Sequence, residues 1–228
     1  LLHWMISERL KRIWRNKLAS GKKLENKSVF LSSVTDCYNS FEEKYQITRK
    51  ILEQLVDANC HIGISTKSKL ILRDIDLLKK FKDLTVSISI NTLDEKFKND
   101  MDNANSIRDR INTLKELHNQ GIKTVLFMSP IFPYITDFKA IIEATKNYVN
   151  EYWFENLNLR GSYKKIILDY IKSNYPGIFN EYEKIYLFSD KQYWIDLSFE
   201  IEAYCKQNTI KYLNYFYHDE LVKNKRKS

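Results

Sequence analysis

Five short apolar segments of this sequence each end in residues that are mostly polar. These residues are Thr35 and Asp36, Thr66, Lys67 and Ser68, Ser89 and Asn91, Ser129 and Pro130, and Asn156 and Asn158. A lysine suits a carboxylate as a point charge, and an aspartate suits a ribose diol or an ammonium group. Because the carboxyl ends of parallel strands meet on one rim, the sequence predicts a site for a polar, charged small molecule there.

Each of these residues also has a purely structural interpretation. Asp36 and Ser33 are residue types that cap turns, and Lys67 can extend its ammonium group into solvent. For a single residue the sequence does not decide between the two interpretations. The repetition of polar residues at five strand ends favours a site.

The segments that carry these residues alternate between strand and helix patterns. Apolar runs begin near residues 28, 60, 84, 122 and 151, and apolar residues at helical spacing fill the intervals between them. Residues 60–91 form the clearest unit, in which two strands flank a helical pattern over residues 70–81. Repeated βα units of about 30 residues predict a parallel α/β architecture with right-handed crossovers.

Several residue types mark where these helices begin. Ser40 and Glu43 have the spacing of a capping box, and Asp137 is expected to cap a helix that continues to about Tyr148. Residues 1–23 show a helical pattern with a basic face. Such a helix is an ordinary outer helix with a solvated side or an arm that contacts nucleic acid.

The character of the chain changes after Gly161. Residues 163–173 and 191–207 have helical patterns, residues 211–217 resemble a last strand, and residues 223–228 are basic. Aromatic residues are dense between Tyr175 and Trp194. They either form a packed layer of the core or cover the rim and stack a base.

Composition and charge narrow the class of protein. The chain has 228 residues, of which 43% are hydrophobic, and carries a net charge of +8. A basic surface favours polyanions such as nucleic acid, although abundant lysine in a compositionally biased sequence gives the same charge. No apolar run reaches the length of about 18 residues that a membrane span needs, so no membrane association is expected.

The cysteines and histidines match neither a disulfide framework nor a zinc site. Cys37, Cys60 and Cys205 are odd in number and far apart, which predicts a reducing, cytoplasmic location. Neither a G-x-G-x-x-G motif nor a P-loop occurs, so a dinucleotide or nucleoside triphosphate fold is not expected.

Several ordered motifs resemble radical S-adenosylmethionine (SAM) enzymes, in particular spore photoproduct lyase and its photolyase-like relatives. The motifs lie at residues 33–38, 42–45, 66–68, 72–78, 87–89, 92–94, 121–122, 129–131, 136–137, 153–155 and 157–159. The resemblance implies an α/β fold: a partial (β/α)6 TIM-like barrel, with a helical C-terminal extension here. It also implies SAM lying across the strand ends.

The resemblance also implies roles for individual residues. Thr35 and Asp36 would face the amino group or the ribose of SAM, and Lys67 would hold its carboxylate. Ser89 would bond the ribose or the carboxylate, and the backbone near Ser129 would meet the adenine. Thr66 and Asn91 complete the expected cofactor-binding set.

This sequence departs from the family pattern in two ways. The Cys-x-x-x-Cys-x-x-Cys motif that holds a [4Fe–4S] cluster does not occur in it. We expect this motif upstream of Leu1, in an intact parent protein of which the sequence is a part. Ser33 stands about where spore photoproduct lyase has a hydrogen-donating cysteine, and Cys37 is near but not equivalent. The repair reaction of that enzyme is therefore not expected.

Two functions from different classes follow. The first is a radical SAM enzyme that cleaves SAM reductively with an external electron donor such as flavodoxin or ferredoxin and abstracts hydrogen from an unknown substrate. The alternative is a catalytically incomplete barrel that binds a nucleotide-like ligand or nucleic acid. The expected organisation is a helical lead-in (residues 1–27), the barrel (28–160), a C-terminal extension with the last strand (161–217) and a basic tail (218–228).

Overall fold

The structure, a computed structural model, describes residues 24–32 and 35–216. The helix predicted over residues 1–23, Ser33 and the basic tail lie outside the described residues. No helix within the described ranges has both the length and the apolar character that crossing a membrane requires.

Six strands form one sheet. They are β1 (Ser28–Leu31), β2 (His61–Thr66), β3 (Leu84–Ser89), β4 (Thr124–Ile131), β5 (Glu151–Asn156) and β6 (Tyr212–Asn214). The sheet order follows the chain order from β1 to β6, and the registered pairs run parallel. The predicted parallel α/β architecture is therefore confirmed, with most strand ends within three residues of those predicted.

Helices alternate with these strands and continue after β5. They are α1 (Glu42–Tyr45), α2 (Ile47–Leu55), α3 (Ile75–Leu78), α4 (Glu95–Met101), α5 (Ile107–Asn119), α6 (Phe138–Thr145), α7 (Gly161–Asn174), α8 (Phe179–Tyr186) and α9 (Gln192–Gln207). Asp137 caps α6 as predicted, since its carboxylate accepts a hydrogen bond of 3.0 Å from the backbone N–H of Ala140. The helices predicted after Gly161 are also confirmed.

The helix predicted between β2 and β3 is confirmed with a different winding, and one predicted cap was wrong. The helical pattern over residues 70–81 forms a 3₁₀ segment, Lys69–Asp74, followed by the single α-turn of α3. The capping box of Ser40 and Glu43 does not form, because α1 begins after Phe41 without a side-chain cap. The buried carboxylate of Glu42 instead accepts hydrogen bonds from the backbone N–H groups of Thr48 (2.9 Å) and Arg49 (3.2 Å), at the start of α2.

Two of the aromatic residues between Tyr175 and Trp194 belong to the core, whereas Phe188 is 77% exposed. Tyr182 is fully buried and donates a 3.0 Å hydrogen bond to the carbonyl of Pro133, and Trp194 is nearly buried. The packed layer that the sequence allowed is therefore the observed arrangement for these two rings.

Contacts divide the chain into two compact units. Of the described residues, the first unit contains 24–32, 35–88 and 108–124, and the second contains 89–107 and 125–216. The organisation predicted from the sequence, with divisions after residues 27, 160 and 217, stays a prediction.

The sheet of the first unit has two different faces. Ile62, Ile64 and Val86 are buried on one face. Because strand residues alternate, the other face of β2 and β3 carries Gly63 and Ser65 with their registered partners Thr85 and Ser87. This second face is therefore lined with small and hydroxylated residues.

Gly63 lets a ring lie across this small-residue face. A Cβ atom at Gly63 would lie 2.5 Å from Cδ2 of its registered partner Phe30, whose side chain is 45% exposed. We expect Gly63→Ala to displace the ring and to lower the free energy of unfolding by about 1–2 kcal/mol, as overpacking does. Urea titration measures the change. In a Phe30→Ala background the same substitution should cost much less, and an equal cost in both backgrounds would contradict the close approach.

In the second unit, one face of the sheet packs on helices. The ring of Phe154 lies 6.2 Å from that of Phe138 on α6, and the hydroxyl of Tyr152 lies 2.9 Å from that of Thr145. Asn214 donates to Ser198 on α9. Since Tyr152, Phe154 and Asn214 share this face, Phe127 and Trp153 lie on the opposite one.

Candidate functional site

The Asp36 carboxylate joins the segment after β1 to the end of β2. Its Oδ1 accepts hydrogen bonds from the backbone N–H of Tyr38 (2.9 Å) and from Thr66 Oγ1 (2.7 Å). Its Oδ2 accepts from the backbone N–H of Lys67 (2.8 Å) and lies 3.0 Å from Thr66 Oγ1. These donors occupy both carboxylate oxygens, so Asp36 fixes the geometry of two strand ends.

The turn after β2 is held by its own side chains. Thr66 is buried, and its Oγ1 accepts a 2.9 Å hydrogen bond from the backbone N–H of Ser68. The Oγ of Ser68 in turn accepts from the backbone N–H of Leu70, at the start of the 3₁₀ segment. Lys67 stands between these two anchored residues and is half-buried. The backbone of Lys67 is thus held in place by the hydrogen-bonded residues before and after it, Thr66 and Ser68.

Thr35 precedes Asp36 at an exposed bend. The first unit therefore brings together four of the predicted site residues: Thr35, Asp36, Thr66 and Lys67. It also confirms the structural interpretation of Asp36 as a turn-capping residue, a role that is compatible with positioning a site.

A buried ion-pair network lies behind this loop. The side chain of Asp74 is fully buried and accepts hydrogen bonds from Tyr38 Oη (3.1 Å), Arg49 Nη1 (2.9 Å) and Arg73 Nε (2.8 Å). Burial acts to raise the pKa of Asp74, but hydrogen bonds from Arg73 and Arg49 outweigh it and hold that pKa below its usual value. Tyr38 lies two residues after Asp36, so this network anchors the site loop.

Glu42 extends the network to the helix that follows the loop. Arg73 Nη2 donates to Glu42 Oε1 (2.8 Å), and Arg73 Nη1 donates to the carbonyl of Glu42 (3.0 Å). Glu42 is itself buried and caps α2. The sequence analysis placed Glu42 and Arg73 in family motifs but missed their pairing, because the two residues lie 31 positions apart.

The second unit brings together other predicted residues at the end of β4. Asn91 Nδ2 donates a 2.9 Å hydrogen bond to the carbonyl of Pro130. Thr136 Oγ1 donates a 2.8 Å hydrogen bond to the carbonyl of Asn91. Ser129 Oγ donates to the carboxylate of Glu155 on β5. Asn91 and Ser129 are thereby set at one strand end.

Two further placements complete the second unit. Ser89 ends β3 and is nearly buried, and Asn156 ends β5 while Asn158 is exposed beyond it. Glu155 is a polar residue at this end that the sequence inventory left out. Because Glu155 directly precedes Asn156, which was in the predicted set, the sequence could have indicated it as a strand-end residue.

The family model of the Radical SAM superfamily matches residues 8–145, more than half of the 228 residues. The chain belongs to the Radical SAM superfamily. The family resemblance predicted from the ordered motifs is therefore confirmed.

Two curated relatives are uncharacterized proteins. One, from Methanocaldococcus jannaschii, is 38% identical over 173 residues, which are 75% of this chain and 63% of the relative. The other, from Acidianus two-tailed virus, is 35% identical over 119 residues, 51% of this chain and 39% of the relative. This radical SAM chain thus spans less than two thirds of the relatives it matches.

Solved radical SAM structures show the same fold. SuiB from Streptococcus suis aligns with a TM-score of 0.54 at 16% identity, over 82% of this chain and 38% of SuiB. Spore photoproduct lyase aligns with a TM-score of 0.55 at 13% identity, over 72% of this chain and 51% of the lyase. These similarities, together with the parallel sheet, confirm the predicted partial TIM-like barrel.

The three cysteines of this radical SAM chain do not fit a [4Fe–4S] cluster. Burial raises the pKa of the Cys37 thiol to about 12, that of Cys205 to about 11, and that of Cys60 above its ordinary value. A cluster needs three cysteine side chains that converge on one open site, whereas Cys60 and Cys205 are buried in the core. Among residues 24–32 and 35–216, no group of three metal-ligating side chains is assembled.

Proposed function

We propose that this chain is the SAM-binding barrel of a radical SAM enzyme, and that the turn after β2 holds the amino-acid portion of SAM. The observation that carries this proposal is the Asp36 carboxylate, which joins the segment after β1 to Thr66 and Lys67 at the end of β2. Solved structures of SuiB and of spore photoproduct lyase contain bound SAM. Family membership and fold therefore support SAM as the ligand.

The residues of the first unit fit the groups that SAM presents there. Lys67 supplies a cation for the SAM carboxylate, as a point charge on a turn with little freedom. Thr35 offers a hydroxyl to the ammonium group or the ribose. Asp36 has both oxygens occupied by protein donors, so we assign it a positioning role. This assignment replaces the direct contact with SAM that the family resemblance implied.

The family resemblance assigns Ser89 to the ribose or the carboxylate of SAM and the backbone near Ser129 to the adenine. These assignments, and the inclusion of Asn91 in the cofactor-binding set, stay predictions. When bound and reduced by one electron, SAM would break its sulfur–carbon bond, release methionine and supply a carbon-centred radical that abstracts hydrogen from the substrate. The protein's own part is to bind the cofactor, orient it and exclude water.

The electron would come from outside the chain, and a [4Fe–4S] cluster would need ligands other than the described cysteines. We include an external donor of the flavodoxin or ferredoxin type in the proposal. Iron analysis of the intact protein tests for the cluster, because a [4Fe–4S] enzyme contains about four irons per chain.

Lys67→Ala is expected to weaken SAM binding about tenfold, since it removes the cation that faces the SAM carboxylate. Isothermal titration calorimetry of SAM into the purified protein measures the change. Lys69→Ala is the matched control. Lys69 lies two residues away and is exposed, and its ammonium group pairs with Asp109 at 3.1 Å.

The comparison of the two lysine variants is decisive for the site. An unchanged SAM affinity in Lys67→Ala would overturn the assignment. An equal loss in both variants would show a general effect of surface charge rather than a specific contact.

A further inference from the structure

Three aromatic rings form a cluster on the sheet face of the second unit that points away from α6 and α9. The ring centroid of Trp153 lies 5.8 Å from that of Phe127 and 5.9 Å from that of Tyr215, and the third distance is 6.3 Å. The rings meet edge to face, the arrangement in which aromatic side chains attract each other. We call Phe127, Trp153 and Tyr215 the aromatic face.

The aromatic face differs from the core of the same sheet. Its three rings are half-buried, while Tyr152 and Phe154 on the opposite face are buried against helices. Leu213, the registered neighbour of Trp153, is 44% exposed. An apolar surface of this kind on a barrel strand is suited to a ligand.

A carboxylate borders the aromatic face at the carboxyl end of the strands. Glu155 lies two residues after Trp153 and so shares its side of β5, and it accepts a hydrogen bond from Ser129. Glu151 lies at the amino end of the same strand and accepts a 2.9 Å hydrogen bond from the indole N–H of Trp153. The pKa of the Tyr215 hydroxyl is raised by burial and by the charges of Glu151 and Glu155.

The local charge contrasts with that of the whole chain. No residue of β4, β5 or β6 is basic, although the chain carries a net charge of +8. Lys211 precedes β6 and lies beside Glu151 in register, at the amino end. On these three strands, the charged side chain beside the aromatic rings at the carboxyl end is therefore the Glu155 carboxylate, which suits a cation and repels phosphate or carboxylate.

We propose that the aromatic face binds the substrate of this enzyme through a cationic group, a primary amine or a guanidinium. Glu155 holds the charge, and the apolar body of the substrate lies on Trp153 and Tyr215. The identification of this ligand as the substrate depends on the proposed function. The chemistry of binding depends only on the residues of the second unit.

Three small molecules of one shape and different charge test the proposal: benzylamine, benzyl alcohol and phenylacetate. The indole N–H signal of Trp153 in a nitrogen–proton NMR spectrum, assigned with Trp153→Phe, reports binding. We expect benzylamine to shift this signal with a dissociation constant in the millimolar range. Benzyl alcohol should bind about tenfold more weakly, and phenylacetate should not bind.

Glu155→Gln is expected to weaken benzylamine binding about tenfold and to leave benzyl alcohol unchanged. Glu143→Gln, at an exposed position of α6, is the matched control and should change neither. The comparison of the three ligands on the unmodified protein stays decisive if Glu155→Gln folds poorly.

Several results would overturn the proposal. They are the absence of any shift with benzylamine, binding of benzyl alcohol or phenylacetate as tight as that of benzylamine, or an unchanged affinity for benzylamine in Glu155→Gln. Failure of the proposed function would be seen separately, as an unchanged SAM affinity in Lys67→Ala. In that case cation binding would persist with a ligand other than a radical SAM substrate.

Discussion

Asp74→Ala is expected to lower the free energy of unfolding by about 3–5 kcal/mol, the usual cost of removing one partner from a buried ion-pair network. Asp74 has no exposed surface and accepts hydrogen bonds from Tyr38, Arg49 and Arg73. Without it, the Tyr38 hydroxyl and two guanidinium groups lose their common acceptor. Urea-induced unfolding followed by circular dichroism measures the loss.

The same network predicts how stability depends on pH. The pKa of Asp74 is lowered in the folded protein, so its ionised carboxylate stabilises the fold fully at any pH above its pKa of about 3.9 in the unfolded chain. This stabilisation is lost as the pH falls through the lower pKa of the folded state. The unmodified protein should therefore lose stability in acid below about pH 4 more steeply than Asp74→Ala does.

Asp76→Ala is the matched control for the buried network. Asp76 also binds Arg49, at 2.8 Å, but its side chain is 55% exposed. The Arg49 hydrogen bond holds the pKa of Asp76 near about 2, yet exposed pairs contribute little to stability. We expect a small effect, and a loss as large as that of Asp74→Ala would contradict the role assigned to burial.

The sequence predicted the strands well because their signal is local. Apolar, β-branched runs such as residues 84–89 are read from neighbouring residues alone, and the turns between them from residue type. The resemblance to the radical SAM family was carried by ordered motifs, and the family model confirms it. All of these predictions depend on local sequence patterns and not on contacts between residues that are far apart in the chain.

The errors arose where distant partners decide the structure. Glu42, rather than Glu43, is the capping acid, because Arg73 pairs with Glu42 from 31 residues away. The apolar spacing of residues 70–81 is also compatible with the tighter 3₁₀ winding of Lys69–Asp74. In this arrangement the Asp74 carboxylate is buried. The spacing of apolar residues does not indicate which polar side chains will be buried or bonded.

The sequence predicted where the candidate site lies, but it did not predict the hydrogen bonds between the residues of the site. Polar residues at strand ends were found from the sequence, but that Asp36 bonds Thr66 and Lys67 depends on the register of β1 and β2. The pairing of Ser129 with Glu155 likewise depends on the register of β4 and β5.

Asp36→Ala is expected to weaken SAM binding about a hundredfold, more than Lys67→Ala, although Asp36 is not assigned a contact with the cofactor. Three donors lose their acceptor at once: Tyr38 N–H, Thr66 Oγ1 and Lys67 N–H. Hydrogen bonds to a charged group contribute about 1.5–3 kcal/mol each. Both the exposed segment with Thr35 and the turn with Lys67 lose their fixed positions.

A positioning role is separated from a general loss of stability by amide hydrogen exchange. Exchange at the backbone N–H groups of Tyr38 and Lys67 should accelerate in Asp36→Ala, because these groups donate to the missing carboxylate. Asp137→Ala is the matched control: it removes a carboxylate that accepts the backbone N–H of Ala140 at 3.0 Å, and should accelerate exchange at Ala140 without changing SAM affinity. A SAM affinity that falls equally in both variants would show that stability, not the Asp36 geometry, controls binding.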